Sequence, residues 1–262
     1  MKLLVDYGNT RFKWALLDAD ALRAGGVFAH ADVALRGALA HEWRALPAID
    51  AAFVASVVAP AREDELAALV RERFGLDARF VRSPAAALGV RNAYAQPQRL
   101  GVDRFLALAA AHARAPRLQV LVSVGTALTI DALDADGEHL GGLIVPSPAL
   151  MRRAVVAGTA RVDAREGRYR DWPASTDDGV FSGALFAAVG AIERFRAALE
   201  RRFDTQPALL LGGGGSDELE PLLADVETTH DLVLHGLALW ARAEPVDAEC
   251  PSPSAAGGRE SG

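Results

Sequence analysis

Two aspartates in this sequence lie beside glycine-containing turns, where a carboxylate can hold a cation or accept a proton. The first, Asp6, ends a short apolar run and opens a turn rich in hydrogen-bond donors. Such a turn can cradle phosphate oxygens while the carboxylate holds a metal ion, so this stretch could bind a metal–nucleotide complex. The turn and its flanks comprise Asp6, Tyr7, Gly8, Asn9, Thr10, Arg11, Phe12 and Lys13. The alternative is a polar hairpin with a tight turn, because short glycine motifs are common.

The second aspartate, Asp103, stands between Val102 and Arg104, at the start of a predicted apolar helix over residues 105–113. Aspartate is ordinary at a helix start, whereas arginine there opposes the helix dipole. An arginine in such a position often binds a carboxylate or a phosphate through two parallel hydrogen bonds. The alternative is a capped helix with a surface ion pair.

Two further glycine turns follow predicted strands in the second part of the chain. Gly125 and Thr126 come after a predicted strand over residues 119–124, and four glycines, residues 212–215, come after one over 208–211. Because glycine has no side chain, a base or a phosphate can lie directly on such a backbone. A flexible loop is the alternative for residues 212–215.

The strands around the turn after Asp6 are repeated around the turn at Gly125 and Thr126. A strand, a glycine–hydroxyl turn and a second strand occupy residues 3–17, and the same order returns over residues 119–133. Strands alternate with helices elsewhere, which is typical of an α/β fold. The sequence therefore predicts a duplicated α/β fold with halves at residues 1–115 and 116–244, divided near Pro116. Each half would bring one phosphate-facing turn to a shared central nucleotide cleft.

The remaining pattern completes this α/β alternation. Helices are predicted over residues 34–46, 63–74, 150–157, 179–203 and 232–243, and strands over 51–58, 78–81, 143–145 and near Val226. Residues 85–98 and 159–173 read as irregular, and the Ser175–Asp178 run is a helix N-terminal cap signature. Glycine is costly within a helix, so Gly179, Gly183 and Gly190 predict close packing against another helix or a ligand. Residues 245–262, rich in Pro, Ser, Ala and Gly, predict a disordered tail.

Composition excludes some classes of function. The 262 residues carry 28 basic and 34 acidic side chains, a net charge of −6 that argues against a nucleic-acid-binding protein. Cys250 is the single cysteine, so no disulfide can form within the chain, which fits a reducing compartment. Lys2 is followed by only three apolar residues before Asp6, so the pattern of a secretory signal peptide is not present there. No apolar run is long enough to span a bilayer. We therefore expect a cytoplasmic protein without a membrane partner.

Five short stretches together resemble the type III pantothenate kinases. They occur in that family's order: residues 6–10, 101–104, 125–127, 141–142 and 175–178. The resemblance spans residues 1 to about 243. It implies the actin/Hsp70/sugar-kinase superfamily fold, built of two ribonuclease-H-like halves with ATP between them. It also implies ATP-dependent phosphorylation of pantothenate to 4'-phosphopantothenate, the first step of coenzyme A biosynthesis, by a homodimer whose pantothenate lies near the subunit interface.

The resemblance also implies roles for individual residues. Residues 6–13 and Thr126 would bind ATP, with its magnesium ion on Asp6, and residues 212–215 would lie near the adenosine. Asp103 would be the general base on the pantothenate hydroxyl. The pantothenate site would comprise Tyr94, Gly101, Val102, Asp103, Arg104 and Thr176. Within it, Arg104 would pair with the substrate carboxylate, and Thr176 would make its contact within one chain or across the subunit interface.

One position departs from the family pattern. Many members have an aspartate two residues before the Gly-Thr-Ala turn, where it is associated with a monovalent cation, and here that residue is Ser123. A hydroxyl is a neutral and weaker ligand than a carboxylate. Potassium binding at this point is therefore uncertain, although dependence on potassium or ammonium could persist through other oxygens.

Other functions remain open at this point. Some relatives are non-enzymatic accessory proteins in gene regulation, but such a protein need not retain Asp6, Asp103, Arg104 and Thr126, which are all present. Another enzyme on the same fold, such as a sugar kinase or a polyphosphate phosphatase, is a further alternative. A P-loop kinase is excluded because the Gly-x-x-x-x-Gly-Lys-Ser/Thr motif is absent, and the protein-kinase motifs are absent as well.

Overall fold

The computed structural model describes residues 1–29, 35–160, 162 and 166–243. Residue 34 of the first predicted helix, part of the predicted 159–173 loop and the predicted tail at 245–262 lie outside these residues. Among the described residues, none of the helices combines the length and the apolar character needed to cross a membrane.

The first sheet has five strands in the order β3-β2-β1-β4-β5. These are β1 (Lys2–Tyr7), β2 (Arg11–Asp18), β3 (Ala21–Ala29), β4 (Ala51–Ser56) and β5 (Ala78–Val81). β1, β2 and β3 are antiparallel, whereas β4 and β5 run parallel to β1. Alternate residues of β1 face opposite sides. Leu3 and Val5 pack towards α1 (Leu35–Glu42) and α2 (Pro60–Phe74), and Leu4 faces the centre of the molecule.

A short hairpin and a helix connect this sheet to the second one. The hairpin consists of β6 (Ala86–Ala87) and β7 (Val90–Arg91), and a 3₁₀ turn over Pro97–Arg99 precedes α3 (Val102–Arg114). The second sheet repeats the first, in the order β10-β9-β8-β11-β12. Its strands are β8 (Gln119–Val124), β9 (Ala127–Leu133), β10 (His139–Pro146), β11 (Ala208–Gly212) and β12 (Val226–Thr228). The outer face of this sheet is covered by α4 (Pro148–Gly158) and α5 (Thr176–Phe203).

Two helices fill the space between the sheets. α3 packs on α6 (Leu232–Ala243), and their core includes Leu4 of the first sheet and Leu210 of the second. At Gly236 of α6 an added methyl group would overlap the backbone of Leu106, so glycine is required for this close approach. α6 also contacts β1 and β4. The two halves are therefore joined through a shared helical layer.

The predicted duplicated α/β fold is confirmed by the two five-stranded sheets and their matching order. The division at residues 115/116 stays a prediction, because α6 follows the second sheet in the chain and packs on the first. β3 was not predicted, and residues 85–98 contain the β6–β7 hairpin that the pattern did not indicate. No described atom lies within 4 Å of a Cβ added to Gly179, Gly183 or Gly190. The expected close packing of these glycines is therefore wrong for contacts within the described chain.

Candidate active site

The two glycine turns predicted from the repeat meet at the centre of the molecule. The first joins β1 to β2 and is closed by the Gly8 N–H, which donates to the Arg11 carbonyl at 3.0 Å. The second joins β8 to β9, and there the Gly125 N–H donates to the Ala127 carbonyl at 2.9 Å. The hydroxyls of Thr10 and Thr126 are 2.6 Å apart and hydrogen-bonded to each other. The repeated fold thus brings two donor-rich turns to one point.

The glycine run after β11 packs directly against the second turn. Gly213 has a φ of +96°, a conformation that L side chains rarely adopt, and a Cβ there would overlap the backbone of Val124. The Gly215 N–H donates to the Val124 carbonyl at 3.0 Å. The Arg11 guanidinium lies against Gly214, where an added methyl group would overlap it. Three turns from distant parts of the chain therefore form one surface of backbone and glycine.

Asp6 lies beside this surface, near the end of β1 and opposite Lys13 of β2. Lys13 Nζ donates to Asp231 Oδ1 at 2.8 Å, and Asp231 stands between β12 and α6. Burial and the negative charges of Asp103 and Asp231, against the opposing charge of Lys13, together raise the pKa of Asp6 to about 7. The Asp6 carboxyl therefore titrates near neutral pH, in surroundings where a cation would be stabilised.

Asp103 lies in the first turn of α3, with its Oδ1 accepting from the Arg104 N–H at 2.9 Å. A Cβ on Gly101 would lie 2.5 Å from the same oxygen, so glycine leaves room for this carboxylate. Burial raises the pKa of Asp103 above its ordinary value, although the N–H and the charge of Arg104 oppose this. A carboxyl with a raised pKa is suited to accept a proton near neutral pH.

Arg104 is almost fully buried, and its guanidinium is bonded to Asp131 and Tyr94. Its Nε and Nη2 donate to the two carboxylate oxygens of Asp131 at 2.9 and 2.5 Å, and its Nη1 donates to the Tyr94 hydroxyl at 3.1 Å. His139 Nε2 is 3.0 Å from Asp131 Oδ1. Burial alone would raise the pKa of Asp131, but the bonds from His139 and Arg104 hold it below its ordinary value.

Sequence reasoning missed Asp131 and His139. A signal was present, because an arginine at an unfavourable helix position needs a partner. Asp131 is the one charged residue in strand β9, whose other residues are apolar except Thr129. Nothing local in the sequence joins Asp131 to Arg104, which lies 27 positions away.

Two residues of the predicted ATP turn face the core. Tyr7 and Phe12 are fully buried, and their rings pack edge to face with centroids 5.2 Å apart. Any contact that these two residues make with a nucleotide must therefore use their backbone atoms. Asn9, Thr10 and Arg11 are exposed in the same turn.

Gly101 and Val102 line a cleft of about 360 Å³ at the ends of β4 and β5. Ser56, Arg82 and Arg99 line the same cleft. This cleft opens next to Asp103 in the chain and could admit part of a small substrate.

Thr176 and Ser123 stand apart from this network. Thr176 is exposed in the first turn of α5, after Ser175 Oγ accepts from the Asp178 N–H at 3.2 Å. Within the described ranges, no hydrogen bond joins Thr176 to another predicted site residue. Ser123 is exposed on β8, in register with Thr129 and Gly212. Among the described residues, no group of three or more His, Cys, Asp and Glu side chains is placed to hold a metal ion.

Comparison with known proteins adds to this geometry. The sequence pattern that defines the type III pantothenate kinase family matches residues 2–198. The type III pantothenate kinase of Stenotrophomonas maltophilia K279a is 45% identical over 244 residues, covering 92% of this chain and 98% of the relative. That of Xanthomonas euvesicatoria is 46% identical over 242 residues, covering 92% and 97%.

Solved structures with the same fold are more distant in sequence. A 2-dehydro-3-deoxygalactonokinase protein from Sinorhizobium meliloti aligns with a TM-score of 0.61 at 16% identity, covering 93% of this chain and 99% of the other. A protein described as a Baf family transcriptional activator from Campylobacter jejuni aligns with a TM-score of 0.55 at 17% identity, covering 92% and 97%. At these identities the likeness shows the fold alone, so it favours neither sugar phosphorylation nor gene regulation for this chain.

Proposed function

Because the chain belongs to the type III pantothenate kinase family, we propose that it transfers the γ-phosphoryl group of ATP to the primary hydroxyl of pantothenate. The product is 4'-phosphopantothenate, and the reaction opens coenzyme A biosynthesis. The observation that carries the proposal is the meeting of the two turns at the Thr10–Thr126 hydrogen bond. Asp6, which begins the first of these turns, and Asp103 lie close enough to each other to interact electrostatically.

The first part of the mechanism is the binding of the triphosphate. Phosphoryl transfer depends mainly on positioning and charge neutralisation. The hydroxyls of Thr10 and Thr126 and the turn N–H groups would donate to phosphate oxygens, and residues 212–215 would present bare backbone to the adenosine. Lys13, which is bonded to Asp231, is close enough to Asp6 to supply positive charge to the same region.

The residues fit a divalent cation, which we assign as magnesium. Asp6 carries an oxygen ligand of the kind that magnesium prefers, and its pKa is raised by burial and by the nearby negative charges of Asp103 and Asp231. Asp6 would hold the ion, directly or through its water. When bound, the ion neutralises charge on the phosphates.

The second part is the activation of the acceptor alcohol by Asp103. The hydroxyl oxygen of pantothenate forms a bond to the γ-phosphorus while the bond from that phosphorus to the bridging oxygen of ADP breaks. The hydroxyl proton passes to the Asp103 carboxylate. Tyr94, Gly101, Val102, Arg104 and Thr176 would bind the rest of pantothenate. Arg104 would offer the carboxylate of pantothenate its positive charge and the N–H groups that neither Asp131 nor Tyr94 uses.

A coupled assay of ADP release, with pantothenate as acceptor, tests this function. Purified protein should turn over, and Asp103→Asn should lower kcat by at least about a hundredfold, because general-base catalysis contributes roughly 10²–10⁴. Asp64→Asn, which changes an exposed carboxylate of α2, is the control and should retain activity. Folded protein without turnover on pantothenate would refute the function, and a fully active Asp103→Asn would refute the base assignment. Sugars offered as acceptors in the same assay distinguish a sugar kinase.

A monovalent cation is a further part of the proposal. With a serine hydroxyl at position 123, dependence on potassium or ammonium would rest on weak neutral oxygens. Ser123→Asp should then lower the potassium concentration for half-maximal activity. An unchanged potassium response in Ser123→Asp would show that this position does not contribute.

A homodimer is also part of the proposal. Val155 of α4 is 41% exposed and Phe186 of α5 is 52% exposed, and these two helices pack on each other. On α5 the residues Gly183, Phe186, Ala187 and Gly190 share one exposed, uncharged face. Exposed apolar side chains on neighbouring elements mark protein–protein interfaces. The family resemblance implies that a second copy of the chain covers this face.

A cytoplasmic location of the protein stays a prediction.

A further inference from the structure

The pair Asp131–His139 is buried beside the predicted pantothenate site and has no part in the mechanism described above. The two residues are each 3% exposed, and Arg104 is 7% exposed. We infer that Asp131 and His139 are positioning residues for the acceptor site, which hold Arg104 and Tyr94 in the orientation that binds pantothenate. This inference rests on the proposed function.

The four side chains form a closed ring of contacts. Asp131 accepts from Arg104 through both carboxylate oxygens, and Arg104 in turn donates to the Tyr94 hydroxyl. Tyr94 and His139 are stacked, with centroids 6.1 Å apart and planes 15° apart. His139 closes the ring by its bond to Asp131. Moving any one of the four therefore disturbs both residues that the substrate would touch.

The histidine has a defined hydrogen-bonding direction. Its Nδ1 accepts from the Ala93 N–H at 3.5 Å, which assigns the ring proton to Nε2. Nε2 then donates to Asp131 Oδ1 at 3.0 Å. His139 thereby connects the backbone next to Tyr94 with the carboxylate that holds Arg104. A histidine fixed in this way orients its partner, as the outer partners of metal-bound histidines do.

Gly142 of β10 leaves room for the Asp131–Arg104 ion pair. A Cβ on Gly142 would overlap Asp131 Oδ1 and would lie 2.8 Å from Arg104 Nη2. Glycine at 142 lets β10 pass directly beside the ion pair.

Stability alone does not account for the network. A buried ion pair is often no more stable than well-packed apolar residues of similar volume. Arg104 also stands in the first turn of α3, where its charge opposes the helix dipole. The buried Arg104–Asp131 pair therefore has a cost in stability, and Arg104 lies next to Asp103 in the chain. The pair is explained if the orientation of Arg104 is needed for substrate binding.

The test compares steady-state constants of paired variants at His139, and of Asp131→Asn. His139→Gln keeps an N–H donor that can reach Asp131, whereas His139→Phe keeps a ring against Tyr94 but loses the donor. We expect His139→Phe and Asp131→Asn to raise KM for pantothenate at least tenfold, with KM for ATP within twofold. His139→Gln should stay within about threefold of the unmodified chain. Glu138→Gln, which breaks a surface pair with Arg91, is the control and should change neither constant.

The outcomes separate this inference from the proposed function. An unmodified chain without turnover refutes the function itself. With an active chain, a KM for pantothenate within twofold of normal in both His139→Phe and Asp131→Asn would overturn the positioning role. Lower melting temperatures with both KM values unchanged would do the same, because they indicate a purely structural pair. If Asp131→Asn does not fold, the Gln and Phe variants at position 139 decide the question.

Discussion

At the scale of single residues, the balance of charge around Asp6 controls its chemistry. Burial, Asp103 and Asp231 all raise the pKa of Asp6, and Lys13 lowers it, with the result near 7. A cation and a proton therefore compete for the same carboxylate at physiological pH. This competition leads to one prediction about stability and one about nucleotide binding.

The stability prediction follows from the difference between the folded and unfolded pKa of Asp6. Between the ordinary value of 3.8 and about 7, the folded chain keeps a proton that the unfolded chain releases. The free energy of unfolding therefore falls as pH rises through this window. Asp6→Asn removes this loss, so the variant should be more stable than the unmodified chain at pH 8, by about 1–4 kcal/mol at roughly 1.4 kcal/mol per pKa unit.

Urea unfolding at several pH values measures this difference. The stability gain of Asp6→Asn should shrink as the pH falls towards the ordinary pKa of 3.8, because the unfolded chain then takes up the proton as well. A gain that is equal at both ends of the range would contradict the raised pKa of Asp6.

The binding prediction concerns Asp231. Asp231→Asn removes a negative charge that raises the pKa of Asp6 and frees Lys13 to interact with Asp6. Both changes lower the pKa of Asp6. KM for Mg·ATP should therefore fall as the pH rises through about 7 in the unmodified chain. In Asp231→Asn the midpoint of this fall in KM should move to lower pH. Steady-state KM values from pH 5.5 to 8.5 measure this, and a midpoint that does not move would exclude an effect of Asp231 on Asp6.

At the scale of elements, the site depends on close approaches of backbone. The 125–127 and 212–215 turns touch through Val124 and Gly213, and α6 touches α3 at Gly236. The α3–α6 layer packs against both sheets, and Thr10 of the first turn is hydrogen-bonded to Thr126 of the second. The geometry of the site therefore depends on how tightly the α3–α6 layer is packed.

Alanine substitutions of two helical glycines test this dependence. Gly236→Ala would push a methyl group into the Leu106 backbone and should destabilise the protein by about 1–3 kcal/mol, as overpacking does. Gly37→Ala in α1, where nothing lies within 4 Å, should instead stabilise it by up to about 1 kcal/mol, the usual difference in helix propensity. Urea denaturation compares the two. Equal effects of the same sign would show that the α3–α6 approach is not tight.

At the scale of the whole molecule, exposed apolar side chains lie on the adjoining elements β10, α4 and α5. Leu143, Val155 and Phe186 are all at least 40% exposed there. Thr176 belongs to α5, so a partner on this face would also bring its own α5 close. That arrangement would explain why Thr176 makes no hydrogen bond to the other predicted site residues within the described chain.

Charge placed on this face should separate the subunits. We expect Phe186→Glu to convert a dimer to a monomer and to raise KM for pantothenate, because a carboxylate buried in an apolar interface is strongly unfavourable. Val27→Glu is the matched control, since Val27 is 60% exposed on β3, in the other sheet. Analytical ultracentrifugation measures the masses. A chain that is monomeric without any substitution would refute the homodimer.

The sequence by itself determined the features that depend on neighbouring residues. The turn after β1, Asp103 and Arg104 at the start of α3, and the helix over residues 232–243 follow from turn chemistry and apolar periodicity within a few residues. The repeat of strand, turn and strand also sufficed to predict the duplicated fold, because the same local pattern appears twice.

The tertiary structure alone decided which distant residues share an environment. It buried the Tyr7 and Phe12 rings in the core, paired Arg104 with Asp131 and His139, and placed α6 against the first sheet. The Thr10–Thr126 contact joins residues 116 positions apart. Burial and charge pairing at such separations depend on how whole sheets and helices pack, and no short stretch of sequence contains that information.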